Sequence, residues 1–225
     1  MAAPRGTTAR REQRRALHHD LSRTQLLDAA EVVFGDKGMH ASTIKEIAEL
    51  ADYSVGSVYS YFTSKDDLLI EVLARRGREM ASGVERVVGG PGTPLQRLVH
   101  LARYEVEFFV ERPAFARLYL RIAPVGSLVP ETVITDEESL DQVMTRTASL
   151  VAEGQRQGSI CAGPPRLLAR VLSGIVTSYQ SVLMADGPAS LSDFGIDELG
   201  ALVERTFGVS PEPTTPLQGD PDARR

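Results

Sequence analysis

Residues 54–61 read SVGSVYSY, and Lys65 follows one turn later. Ser54, Ser57, Ser60, Tyr59 and Tyr61 put hydroxyls along this stretch, and no carboxylate interrupts them. Such a set binds rather than makes bonds, because hydroxyls and a phenol donate hydrogen bonds to anionic oxygens and to the polar edges of bases. Groups for bond-making chemistry are not spaced for it elsewhere. The chain has no HExxH, no GxSxG and no phosphate-cradling glycine loop, and Cys161 has no evident catalytic partners. His18, His19, His40 and His100 form no ligand-spaced set. The expectation is therefore a protein that is not an enzyme and uses neither metal nor cofactor. One further residue stands out, the carboxylate of Glu105. On a helical wheel it falls near the middle of an apolar arc with Leu98, Leu101, Phe108 and Phe109. A carboxylate there must be paired, protonated or linked to water. It could pair with Arg117 or Arg121, read a ligand in a pocket, or owe its position to helix curvature.

The elements that carry these residues read as helices throughout, with no two-residue alternation and no hairpin signal. Ser22-x-x-Gln25, Thr43-x-x-Glu46 and Ser64-x-x-Asp67 have the form of capping boxes, each ahead of an apolar stripe. Gly38 is placed to end the first helix. The spacing predicts a compact three-helix unit joined to a longer helix that runs to about Val88. Beyond GGPGTP at 89–94, helices are expected over Thr93–Glu111, Pro113–Ala123, Thr132–Gln157, 164–186 and 193–207, about nine in all. The prolines after Val209 predict a disordered tail.

Placed on a helix, residues 54–62 turn Val55, Val58, Tyr59 and Phe62 to one side and Gly56, Ser57, Ser60 and Tyr61 to the other. The second face is small and neutral. A solvated face would ordinarily carry Lys and Glu, which are better helix formers. A bare face lets the helix axis approach a partner closely, and the missing negative charge favours a polyanion. A second helix after a short turn with such a face is the arrangement that enters a major groove. The same residues also fit a short structural helix in an all-α bundle.

Charge is distributed to match. The chain has a net charge of −5, but residues 1–78 sum to +1 and residues 79–225 to −6. Residues 1–20 hold Arg5, Arg10, Arg11, Arg14 and Arg15 against Glu12 and Asp20. That segment reads either as a solvated tail or as an arm that finds phosphate, including the minor groove. The composition is that of a soluble globular protein, and neither a membrane span nor a secretion signal is evident, so a cytoplasmic location is expected.

The runs LLDAAEVVFGDKG, STIKEIAELA and GSVYSYFTSKDDLL, within residues 23–73, resemble the DNA-binding domain of the TetR family of transcriptional regulators. Tyr59, Phe62, Ser64-Lys65 and Leu68-Leu69 meet the family pattern. Asp52-Tyr53 departs from it, standing where Gly-Val is usual. The resemblance implies an all-α protein with an N-terminal helix-turn-helix domain and a C-terminal helical domain for ligand binding and dimerisation. It divides the chain into a flexible basic arm at 1–20, the DNA-binding domain at 21–70, the ligand-binding and dimerisation domain at 71–208, and the tail at 209–225.

The resemblance also implies roles for individual residues. Thr43 and Lys65 would hold phosphate. Ser54, Val55, Gly56 and Ser57 would face bases. Tyr59 would reach phosphate through its hydroxyl while its ring packs, and Tyr61 would sit at the groove edge. A small-molecule effector would lie among Tyr104, Glu105, Phe108, Phe115, Tyr119, Met144 and Tyr179. The helices at 164–186 and 193–207, with their small residues, would pair with a second copy, and the dimer would bind a palindromic double-stranded operator. The function expected is a repressor released by its ligand. The alternative is a DNA-binding regulator without a small-molecule inducer, acting as an activator or under another control.

Overall fold

The structure, a computed structural model, describes residues 5–122, 137–186 and 194–209. Nine helices make up the described residues: α1 (Arg5–Ala41), α2 (Ile44–Ala51), α3 (Val55–Tyr61), α4 (Lys65–Val88), α5 (Pro94–Val110), α6 (Pro113–Ile122), α7 (Glu137–Arg156), α8 (Pro165–Asp186) and α9 (Ile196–Phe207). The one departure from helical pairing among them is a bridge between Ile160 and Gly208.

Local chemistry sets most of the boundaries. Thr43 and Glu46 form a reciprocal capping box at α2, and Thr93 and Gln96 form one at α5 with Pro94 at the first helical position. At α4 the Ser64 hydroxyl accepts from the Asp67 amide, while the Asp67 carboxylate accepts from the amide and hydroxyl of Thr63. The α2–α3 turn passes through Asp52 in the left-handed conformation (φ 60°, ψ 42°). Asp tolerates that region better than most residues that bear a Cβ.

Two expectations at the N-terminus are corrected. No helix starts at Ser22. The backbone is helical from Arg5 straight through it, so among the described residues 5–20 are an extension of α1. ARREQRRALHHDL contains no breaker and is rich in strong helix formers, so nothing stops the helix from running past Ser22. Gly38 does interrupt α1 with φ 77°, but its ψ of 166° is extended rather than left-handed helical, and a further turn follows to Ala41. Residues 123–136, 187–193 and the tail from 210, with the boundaries expected there, lie outside the described residues.

α1, α2, α3 and the start of α4 close over Leu26, Phe34, Ile47, Val58, Phe62 and Leu68. Leu118 of α6 joins this core from the second half of the chain. α1 and α6 approach so closely that a Cβ on Gly35 would lie 2.3 Å from the Ala114 carbonyl oxygen. A second core unites α5, α7, α8 and α9 through Leu98, Leu101, Leu150, Leu172, Leu199 and Phe207. The N-terminal unit is thus held to the rest of the chain by two elements, the continuous α4 and the docked α6.

Candidate nucleic-acid interface

α3 is short, and its ends are fixed by neighbours. Ser54 caps it by accepting from the Ser57 amide at 3.0 Å, and the two serine hydroxyls lie 2.8 Å apart. Ser60 donates back to the Ser57 carbonyl at 2.6 Å. Val58 and Phe62 are fully buried. The face expected to be buried is rotated from the wheel. Val55 is 40% exposed and Tyr59 is 55% exposed, so Tyr59 does not pack its ring into the core. Tyr61, expected on the outer face, packs against that core instead, its ring 4.7 Å from His19 of the α1 extension. The open surface of α3 is therefore Val55, Gly56, Tyr59 and Ser60, with Ser54 at its N-terminal edge and Ser57 half-buried. It carries no charge.

The supporting turns add detail. Thr43 is exposed at the start of α2, and its hydroxyl donates to Glu46 at 2.9 Å. Glu46 also accepts from Lys37, and these hydrogen bonds, with Lys37 first and Thr43 second, hold its carboxyl down to about 2. Tyr53 packs its ring on the core, and its hydroxyl donates to Gln25 at 2.8 Å. Lys65 is largely committed within the protein, since its ammonium donates to the carbonyls of Met39 (2.7 Å) and Ser42 (2.8 Å) at the end of α1. One of its three N–H groups remains for another acceptor.

The residues expected around an effector divide. Tyr104, Phe108, Phe115 and Tyr119 come together with Phe109, and the Phe109 and Phe115 rings stack at 5.5 Å. Tyr179 is elsewhere, beside Phe194 with centroids 6.1 Å apart. Met144 is half-buried on α7. Glu105 forms no ion pair with Arg117 or Arg121. Docking of α6 on α1 takes both arginines to Asp36, Arg117 to its carboxylate and Arg121 to its carbonyl. The Glu105 carboxylate has no hydrogen-bond or ion-pair partner among the described residues. The residue is half-buried, and protein atoms surround its carboxylate. That surrounding density withholds solvation and raises its carboxyl to about 7. Burial, and then the Glu105 charge, also push the Tyr119 phenol up.

A chain of charges that no sequence pattern announces links the two halves. Arg75 and Arg76 of α4 both pair with Glu31 of α1, which is 5% exposed. Arg76 continues to Glu79, Glu79 pairs with Arg112, and the Arg112 guanidinium lies 4.2 Å over the Phe108 ring. The one signal for it is Glu31 itself, a carboxylate one turn from Leu27 on the buried stripe of α1.

Residues 26–72 match the family model described as bacterial regulatory proteins, tetR family. The HTH-type transcriptional repressor KstR of Mycolicibacterium smegmatis is 34% identical over 93 residues, 41% of each chain. The HTH-type transcriptional activator FasR of the same organism is 39% identical over 95 residues, 42% of each. The chain thus spans about two-fifths of the length of these curated relatives. Among solved structures, the regulator FadR of Bacillus subtilis in complex with stearoyl-CoA superposes with a TM-score of 0.64 at 21% identity, covering 80% of this chain and 96% of that one. The N-terminal unit thus matches the tetR family model over residues 26–72, and the described residues have a TetR-like all-α fold.

Proposed function

We propose that the chain is a homodimeric DNA-binding transcriptional regulator, a repressor that leaves its operator when a small-molecule ligand with an acyl chain binds the second half. The observation that carries this is the open face of α3: Val55, Gly56, Tyr59 and Ser60 are exposed and uncharged, on a helix capped by the Ser54 side chain. That face suits a major groove, where Tyr59 and Thr43 lie toward phosphate and Gly56 lets the backbone approach base edges. Ser54, Val55 and Ser57 fill out the base-facing end, and Lys65 adds its one free N–H. Tyr61 acts from behind, fixing α3 against α1.

One helix-turn-helix makes few base contacts, so a dimer is needed to span two half-sites. α8 supports this. Leu167, Val171, Gly174, Ser178 and Val182 recur at intervals of three or four residues and are all exposed, and a Cβ on Gly174 would meet nothing within 4 Å. Such a stripe packs closely against a copy of itself.

The ring cluster of Tyr104, Phe108, Phe115 and Tyr119, with Glu105 as its polar group, is the proposed effector site. An acyl thioester is the first ligand class to screen, given the stearoyl-CoA bound to FadR. Displacing Phe108 would disturb Arg112 and, through Glu79, Arg76 and Glu31, the seating of α1. Linkage requires that operator DNA weaken effector binding by the same factor.

The activator FasR favours a second reading, in which the bound state switches transcription on. The test is duplex selection from a random library, followed by titration with acyl-CoAs of graded chain length. Recovery of a palindromic site that acyl-CoA releases supports the first reading. A site whose affinity rises with ligand supports the second, and no enriched duplex refutes both.

A further inference from the structure

The α1 extension is a charged element without a partner. Arg10 through Asp20 are all exposed. At 100° per residue, Arg10, Arg14, His18, Arg11 and Arg15 fall within one arc of about 140°. Among the described residues none of the four arginines makes an ion pair, whereas His19 lies 3.7 Å from Asp20. The charges are wrong for an isolated helix. There is no acid in the first turn to complement the dipole. Arg10–Arg14 and Arg11–Arg15 are like-charged pairs at i, i+4, each of which weakens an isolated helix. An external anion removes both penalties at once.

Position supplies the rest. His19 packs on Tyr61, so the base of the extension lies against the C-terminal end of α3, the element that carries the proposed base-reading face. It is a helix about 10–12 Å across, too wide for a minor groove of about 6 Å, so it cannot read bases there. At about 1.5 Å per residue, residues 10–19 span on the order of 15 Å, enough to follow several phosphates along one strand.

We propose that residues 5–20 form a helical outrigger that binds backbone phosphates flanking the site read by α3, with Arg10, Arg11, Arg14 and Arg15 as sequence-independent contacts. This rests on the DNA-binding reading above and lies outside the tetR family match at residues 26–72.

The test compares the full chain with the quadruple variant R10Q/R11Q/R14Q/R15Q. Both are titrated over a range of salt on a selected duplex with long flanks and on the same site trimmed to its core, and helicity is checked by circular dichroism. The slope of log K against log[salt] is expected to fall by about 0.9 for each phosphate no longer neutralised, hence by at least about 2 in the variant on the long duplex. Base preference is unchanged, and the difference disappears on the trimmed duplex. Equal slopes on a long duplex that both chains bind overturn the outrigger alone. Binding of the wild type but not the variant to vesicles rich in anionic phospholipid, with equal slopes on DNA, overturns it in favour of a membrane surface. A wild-type chain that binds no duplex overturns the outrigger and the DNA-binding reading together.

Discussion

Replacing Glu105 with Gln removes a titrating group whose proton affinity is set by its surroundings. Burial raises its carboxyl from 4.5 to about 7. Below pH 4.5 the folded and unfolded chains are both protonated there, and the residue contributes no pH dependence. As pH rises through the interval, the unfolded chain releases its proton first and the folded chain retains one, so stability falls. Above about 7 the folded chain carries an ionised carboxylate in poor solvent, and the loss levels off. At about 1.36 kcal/mol per pH unit the full interval amounts to roughly 3 kcal/mol, most of it between about pH 5 and pH 8. Glutamine occupies the same volume and does not titrate. The Glu105→Gln variant should therefore gain on the wild type as pH rises across that range. The relative shift in Tm is about 5–10 °C, at about 2–4 °C per kcal/mol for a chain of this size. The assay is thermal unfolding of both proteins across the same range, in which every other titrating group cancels. Operator affinity should be unchanged and the effector response altered. Melting curves whose difference stays constant throughout would refute the placement of an ionisable, unpaired carboxylate among these rings.

Two further outcomes follow from the geometry. Lys65→Met removes two charged hydrogen bonds to the carbonyls that end α1 and should cost about 1.5–3 kcal/mol in urea unfolding, an effect on the fold that precedes any effect on DNA. Val171→Glu sets a charge in the middle of the exposed α8 stripe. Sedimentation velocity should then find monomers whose helicity is intact, and a variant that remains dimeric would remove α8 from the interface.

Much of the architecture is legible in the sequence because it is local. The box at Thr43 and the cap at Ser64 are satisfied within four residues, and the breaker at 89–94 stands just ahead of α5, so sequence alone places α2, α4 and α5. The box at Ser22 fails for the same local reason, since it carries no information about the helix formers upstream that run α1 through it. α3 has seven residues, too few for a wheel to fix which side is inward. Tyr61 rather than Tyr59 turns inward, where it meets His19, from a segment that a single sequence marks only as basic. Glu105 is marked for burial by its neighbours on α5. That it has no partner among the described residues becomes visible only once α6 has docked on α1 and carried Arg117 to Asp36. The chain of charges from Glu31 to Arg112 joins residues far apart in the sequence, in no pattern that spacing alone reveals.

The most direct measurement is the DNA affinity of Gly56→Asp beside its thermal stability. A Cβ at Gly56 meets nothing closer than the Ser54 hydroxyl at 3.8 Å, and an acid in the first turn suits the helix dipole, so the fold should melt no lower than the wild type. The new carboxylate would stand on the face assigned to the major groove, and binding to the selected duplex should weaken by about a hundredfold or more at moderate salt, as like charges juxtaposed across an interface cost several kcal/mol. A folded Gly56→Asp chain that binds the duplex as tightly as the wild type would contradict the assignment of that face.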